Sequence, residues 1–242
     1  MYDITFYPKS LDEYPCWFKD NCTGFGDEEL CHIACPLFFQ FFHLVNLANI
    51  PIPLQYPENL KLDPGEDVNE YKFLKGIQSD ITNWVQEGNN LYLFSEYPGN
   101  GKTTWAIKLM LSYFYNIMDH NGDKCRGLFI NVEQFLLESK KSINERNKRL
   151  EEMQKLITDV DLVIWDDFGN RPLAEYDFTL LYIYINERLN KRKSNIYTSN
   201  RIDDDLAKNI GWRLTDRSLS VSEVVEFINP SQRTYARERG RK

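Results

Sequence analysis

Apolar positions recur every three or four residues over 71–85, where Tyr71, Phe73, Leu74, Ile77, Ile81 and Val85 predict a helix. Asn90–Phe94 then reads as a short apolar strand, and residues 102–118 continue without glycine or proline as a helix. A second strand is predicted over 127–132 and a helix over 132–142. The segment 144–158 is highly charged, and its one apolar stripe is Leu150, Met153 and Ile157. Leu162, Val163, Ile164 and Trp165 make 161–165 a strand buried on both faces. A helix over 178–189, a strand over 195–198 and a fifth strand over 221–228 complete the series. Strands separated by helices imply crossover connections, an α/β fold and a mainly parallel sheet. No internal repeat or low-complexity segment interrupts it.

The chain before residue 68 has another character. Pro51, Pro53, Pro57, Pro64 and Gly65 mark 51–68 as a connector, because proline fixes φ and removes a backbone donor. Within 37–49, Gln40, His43, Asn46 and Asn49 recur every third residue among almost wholly apolar neighbours. On a helix this gives a wide apolar surface with one polar stripe, suited either to packing on the rest of the chain or to a partner's groove. The expected organisation is a cysteine-rich module over 1–54, a linker over 55–68 and an α/β domain over 69–242.

Composition narrows the classes. A chain of 242 residues, 42% apolar and 27% charged, can bury one α/β core with a small unit left over. A net charge of −7 argues against a general nucleic-acid coat. The charge is uneven, however: residues 1–60 carry eight acids against two lysines, whereas 231–242 carry five basic residues against Glu238. The uncharged run 36–56 is broken by Pro51 and Pro53 and falls short of the about 20 predominantly apolar residues that a membrane span needs. No secretory signal pattern opens the sequence. A cytoplasmic location without membrane contact is expected.

The candidate chemistry begins at Glu96-Tyr97-Pro98-Gly99-Asn100-Gly101-Lys102-Thr103, between a predicted strand and helix. It fits the phosphate-loop pattern G-x-x-x-x-G-K-[ST], in which glycines turn successive N–H groups toward phosphate and a helix N-terminus adds its dipole. Pro98, Gly99, Asn100, Gly101, Lys102, Thr103 and Thr104 are therefore the expected ATP-binding residues. Lys102 would reach the β- and γ-phosphates, and the Thr103 hydroxyl would hold Mg²⁺. Glu96 replaces the pattern's first glycine, at the strand end before the tight part of the loop.

The strand 161–165 runs into Asp166 and Asp167, a pair at the strand's carboxyl end where open α/β sheets bind ligands. Asp166 would hold Mg²⁺, directly or through water, and Asp167 would orient or deprotonate the attacking water. Tyr197-Thr198-Ser199-Asn200 ends another strand in small polar groups, with Asn200 a candidate sensor of water or γ-phosphate.

Residues 90–104, 161–170, 197–200, 211–217 and 224–233 together resemble the DnaC/DnaI helicase loaders. The IstB transposition ATPases share this AAA+ clade, and the resemblance covers roughly residues 68–235 in the family's order. It implies that Arg217 is an arginine finger reaching a neighbouring subunit's ATP, with Arg213 a second candidate. Arg233 would match the second sensor. An arginine at the γ-phosphate neutralises charge that spreads in the transition state, worth roughly 10³–10⁵ in rate in related systems. Aspartate stands at Asp167 where many AAA+ proteins carry glutamate, though aspartate occurs within this clade. The resemblance further implies a replicative helicase hexamer as partner of the amino-terminal region, single-stranded DNA, and a self-oligomer around shared ATP sites. The runner-up functions are an IstB-like transposase helper and, because of Glu96, a catalytically weak helicase-binding adaptor.

Cys16, Cys22, Cys31 and Cys35 have the spacing C-x₅-C-x₈-C-x₃-C. Close cysteines in a cytosolic protein favour metal over disulfides, and tetrahedral thiolate coordination of Zn²⁺ is the first reading. An iron–sulfur cluster and free core thiols are the alternatives; Cys125 stands apart as a core thiol. Arg188, Lys191, Arg192 and Lys193 crowd one predicted helix end. They and the basic tail are candidate contacts for single-stranded DNA phosphates, although cations at a helix C-terminus are also favoured by the dipole.

Overall fold

A computed structural model describes residues 16–19, 22–25, 31–32, 35–118, 124–143 and 145–231. Five strands, β1 (Asn90–Phe94), β2 (Gly127–Asn131), β3 (Leu162–Asp166), β4 (Ser194–Ser199) and β5 (Ser222–Glu226), form one sheet in the order β2-β3-β4-β1-β5. Every neighbouring pair is parallel. All residues of β1, β3 and β4 are buried, so the runs of Leu, Val, Ile and Tyr that fill them have helices on both faces. The helices are α1 (Pro36–Leu47), α2 (Val68–Ser79), α3 (Ile81–Gln86), α4 (Lys102–Ile117), α5 (Val132–Lys141), α6 (Lys148–Ile157), α7 (Glu175–Asn190), α8 (Asp203–Ile210) and α9 (Trp212–Leu219).

The core divides between the two faces of the sheet. Leu91, Leu93, Ile164 and Ile196 pack with Trp105, Leu109 and Phe114 of α4 on one side. Tyr92, Val163, Trp165 and Tyr197 pack with Leu181 and Ile185 of α7 on the other. Neighbouring residues of one strand thus serve different clusters, as the pleat requires.

The expected single helix over 71–85 is instead two. Asp80 breaks it at φ −121°, ψ 27°, and its carboxylate accepts from Asn83 Nδ2 at 2.7 Å. A short acidic side chain that bonds locally competes with the helical ladder. The connector is stitched down rather than loose: Asp67 is fully buried and accepts from the N–H of Ile228 at 2.8 Å, beyond β5. Helix α1 buries Phe41, Leu44 and Val45 in the same cluster as α4. The chain after it joins the outer edge of β2, with Phe129 N donating to Ala48 O at 2.7 Å.

The sheet order puts the carboxyl ends of β1, β3 and β4 side by side. The loop into α4, the pair Asp166–Asp167 and Asn200 therefore share one edge of the sheet.

Candidate nucleotide site

The loop 95–101 turns through two left-handed glycines, Gly99 at φ 82° and Gly101 at φ 101°. At Gly101 a side chain would be strained and would also meet Leu62 at 2.9 Å, so only glycine suits the start of α4. Asn100 is fully buried and its Nδ2 donates to Ser95 Oγ, which also accepts from Tyr97 N at 3.2 Å. This internal staple fixes the loop's curvature, and sequence reasoning missed Ser95. Lys102 is only 7% exposed; its Nζ donates to Tyr97 O and Asn100 Oδ1, each at 3.2 Å. The ammonium is thus held at the loop, beside the free N–H groups that open a helix and attract anions. Glu96 is exposed at the end of β1.

Across from the loop, Thr103 Oγ1 and Thr198 Oγ1 both donate to Asp166 Oδ1 at 2.7 Å. Thr198 Oγ1 also accepts from Asp167 N at 3.1 Å, so one hydroxyl fixes both members of the acid pair. Asp167 adopts φ 57°, unusual for a residue with a side chain, immediately after β3. Its carboxylate is clamped from two sides: Asn131 Nδ2 donates to Oδ2 at 3.2 Å and Asn170 Nδ2 to Oδ1 at 3.0 Å. Asn131 in turn caps α5 by accepting from Gln134 N at 3.1 Å. Gly169, at φ 75°, lets the chain pass beneath Leu206, whose Cδ1 lies 2.2 Å from where a Cβ would stand.

Burial pushes the Asp166 carboxyl above the usual carboxylate range; the Thr103 hydrogen bond opposes this and the charge of Asp167 adds to it. A buried carboxylate beside a second one, with a threonine hydroxyl on its oxygen, is a donor set of hard oxygens that fits Mg²⁺. When bound, such an ion neutralises phosphate charge and bridges phosphate oxygens to the protein.

Asn200 follows β4, the strand paired with β3, and is half-buried after Ser199, whose Oγ donates to Phe168 O at 2.6 Å. A cleft of about 910 Å³ opens beside Thr103, Asp166 and Asp167, bounded by Asn131, Glu138 and the segment around Ile52. Arg213 and Arg217 are exposed on α9, one turn apart, while Leu214, Thr215 and Ser218 seal its other face. Neither arginine lines that cleft. Arg233 lies outside the described residues.

The sequence model of the IstB-like ATP-binding proteins matches residues 42–239. The chain belongs to that family. No curated protein matches it by sequence. Among solved structures, this IstB-like chain is similar to the DnaC helicase loader at 18% identity and a TM-score of 0.52, over 64% of this chain and 86% of that one. It is similar to DnaI at 16% identity and a TM-score of 0.56, over 74% of this chain and 94% of that one. A putative primosome component from Streptococcus pyogenes serotype M3 matches at 17% identity and a TM-score of 0.55, over 78% and 97%. At such identities the likeness establishes the fold, which is the AAA+ core. Family, fold and phosphate loop together make the IstB-like chain an ATPase.

One sequence expectation is corrected. Arg188 does not face solvent: it is fully buried, and burial pulls its guanidinium down to about 9. Its N–H groups donate to Asn195 Oδ1 at 2.7 Å, to Ile157 O at 2.6 Å, to Val160 O at 2.9 Å and to Ser194 O. It thus staples the amino-terminal edge of the sheet, opposite the phosphate loop, and cannot meet DNA. Lys193 bonds Asp161 at 2.9 Å, and Lys191 pairs with Glu187 and Asp159. Arg188 and Lys193 thus tie the end of α7 to the sheet, whereas Lys191 and Arg192 are exposed.

None of the five cysteines is joined in a disulfide. Among the described residues, no three His, Cys, Asp or Glu side chains gather closely enough to hold a metal ion. Burial raises the Cys16 thiol, and the nearby thiols of Cys31, Cys22 and Cys35 raise it further. Cys125 is pushed up to about 12 by burial. No helix among the described residues is long and apolar enough to cross a membrane.

Proposed function

We propose that this IstB-like ATPase is a loader that uses ATP to place a hexameric replicative helicase on DNA. The observation that carries the reading is the convergence of Lys102, Thr103, Asp166 and Asp167 on one edge of a sheet whose fold matches nearly the whole of the DnaC loader and DnaI. Pro98–Thr104 would bind ATP, with Lys102 meeting the phosphate charge; Thr103 and Asp166 would hold Mg²⁺. Asp167, steadied by Asn131 and Asn170, would orient the attacking water, and Asn200 would report the γ-phosphate. Arg217, with Arg213 beside it, would complete a neighbouring copy's site. Arg233 is assigned to the second sensor from its sequence position alone.

Residues 1–54 are assigned to gripping the helicase, with 55–68 as linker and 69–242 as motor. The acidic balance of the amino-terminal residues suits a basic partner surface. Zinc at Cys16, Cys22, Cys31 and Cys35 rests on their spacing in the sequence alone; metal analysis of fresh protein finding neither zinc nor iron removes it. With Arg188 and Lys193 bonded internally and Lys191 ion-paired at the surface, contact with single-stranded DNA falls to the exposed Arg192, to the basic residues 233–242 and to surfaces formed on assembly.

The test is loading itself. The host's helicase is offered circular single-stranded DNA with ATP, with and without this chain. Capture of the ring that needs both the chain and ATP, and is lost with Lys102→Ala, supports the loader. Stimulation of a transposase without helicase capture supports the transposition-helper reading.

A further inference from the structure

A second pocket lies further along α4, away from the phosphate loop. It opens between α1, α2 and α4, has a volume of about 720 Å³, and is floored by Phe41, Leu60 and Leu111. That size falls within the range of small-molecule pockets, roughly 300–1,000 Å³. Tyr115 lines its far end, roughly 18 Å along the helix from Thr103 at 1.5 Å per residue. None of residues 98–104 lines it. Leu62 does, and the same side chain stands against Gly101, so one residue touches both sites.

The charge of this pocket is opposite to that of the chain. The protein carries a net −7, yet the described residues lining the pocket include Lys61 and Lys108 and no acid. Lys108 is half-buried, with its ammonium 4.4 Å from the centre of the Trp105 ring. Burial lowers its pKa, and the charge of Lys75 lowers it further. Among the described residues, none of Lys61, Lys75 and Lys108 makes an ion pair. An exposed lysine is ordinary. A lysine drawn half out of water beside another, with no carboxylate to answer it, carries a cost that a bound anion removes.

The rest of the lining says what kind of anion. Trp17, Phe41, Phe18 and Tyr115 form one run of ring contacts, with successive centroids 5.4, 5.6 and 5.6 Å apart. Tyr115 ends the run 46% exposed, with ring area left for stacking. Gln78, Ser79, Ser112 and Asn116 also line the pocket, and Gln78 Nε2 donates to Ser112 Oγ at 2.7 Å. Amides and hydroxyls both donate and accept, as the edge of a nucleobase does. Trp17 Nε1 is a further donor, buried without a partner among the described residues. A purely apolar ligand would leave the lysines and amides unused, and a bare phosphate would leave the rings unused. A base on an aromatic ring with its phosphate on a cation uses all of them.

We propose that this pocket is a second nucleotide site, taking a free nucleoside monophosphate with its base on Tyr115 and its phosphate on Lys61 and Lys108. A DNA strand needs cations repeated along a groove, whereas here two lysines share one concave pocket with room for a single nucleotide. The site is independent of ATP hydrolysis and of helicase loading.

The test is equilibrium dialysis of the full chain against radiolabelled AMP. AMP lacks the β- and γ-phosphates that Lys102 would reach, so it reports the pocket rather than the phosphate loop. Saturable binding of one AMP per chain is expected. Lys61→Ala, Lys108→Ala and Tyr115→Leu each weaken it about 10-fold or more, as loss of a charged hydrogen bond or a stacking ring does; Lys108→Arg keeps most of it. Affinity for ADP with Mg²⁺ stays unchanged in all four variants, which shows that each is folded. Absence of saturable AMP binding overturns the proposal, and so does an AMP affinity that none of the variants changes. Inorganic phosphate competing as tightly as AMP also overturns it, because the base would then contribute nothing. The single-stranded oligonucleotide (dA)₄ binding about 10-fold or more tighter than AMP, and weakened by the same variants, would give the pocket to a DNA strand instead of a free nucleotide.

Discussion

Thr103 Oγ1 donates a 2.7 Å hydrogen bond to Asp166 Oδ1, joining the first turn of α4 to the end of β3 across 63 residues of chain. The two oxygens proposed to hold Mg²⁺ are therefore in place before any nucleotide arrives. The same carboxylate oxygen takes a second hydrogen bond from Thr198, so its position is determined from two strands and a helix. Such support is what keeps a catalytic group within the narrow geometry that chemistry tolerates.

The support has a cost in stability. The folded protein raises the Asp166 pKa above its unfolded value, so its contribution favours folding at low pH and is lost as pH rises through the folded pKa. Near neutrality the ionised group destabilises the protein. Asp166→Asn, which keeps both threonine donors satisfied, is expected to raise Tm by about 2–4 °C while abolishing Mg²⁺-dependent hydrolysis. Thermal unfolding and an ATPase assay on the same preparation check both halves; a lowered Tm contradicts this account of the site.

Thr198 received no role from sequence, yet it bonds both acids. Thr198→Val removes a donor to ionised Asp166, so the Asp166 pKa should climb further. The acid limb of the pH–rate profile should then move to higher pH, with a fall in kcat of about 10-fold or more at neutrality. Affinity for ADP without Mg²⁺ should stay constant, and Thr198→Ser should restore the profile. A profile that keeps its acid limb in place would show that Thr198 is only packing.

Arg188 separates a structural cation from a nucleic-acid contact. Arg188→Met leaves the carbonyls of Ile157, Val160 and Ser194 without their donor and should cost about 3 kcal/mol or more in denaturant unfolding. Lys191→Ala, on the exposed side of the same helix end, should leave the denaturation midpoint essentially unchanged. Affinity of folded Lys191→Ala for single-stranded DNA is expected to equal that of the unaltered chain.

Much of the fold was legible from residue order. The phosphate loop, β3 and its acids, and the strand ending at Ser199 announce themselves through short apolar runs closed by glycine or carboxylate. Their adjacency comes from parallel pairing. The break at Asp80 was hidden because Ile77, Ile81 and Val85 keep helical spacing across it. Helices α8 and α9 were not anticipated, since eight residues hold little more than two turns of periodicity. Asn131 and Thr198 were missed as holders of Asp167 for another reason: they lie on neighbouring strands, and a polar residue at a strand end carries no mark of what it faces. Arg188 misled because charge along the chain does not reveal burial. One signal was available: a helix end that enters a buried strand after five residues has little room to stay outside.

The most direct test of the loader function is the mass, by light scattering after gel filtration, of this chain mixed with the host's replicative helicase in ATP and in ADP. A stable complex whose mass or lifetime differs between the two nucleotides is the predicted result. Separate elution of the two proteins under both nucleotides would contradict the loader function and leave an ATPase whose partner lies elsewhere.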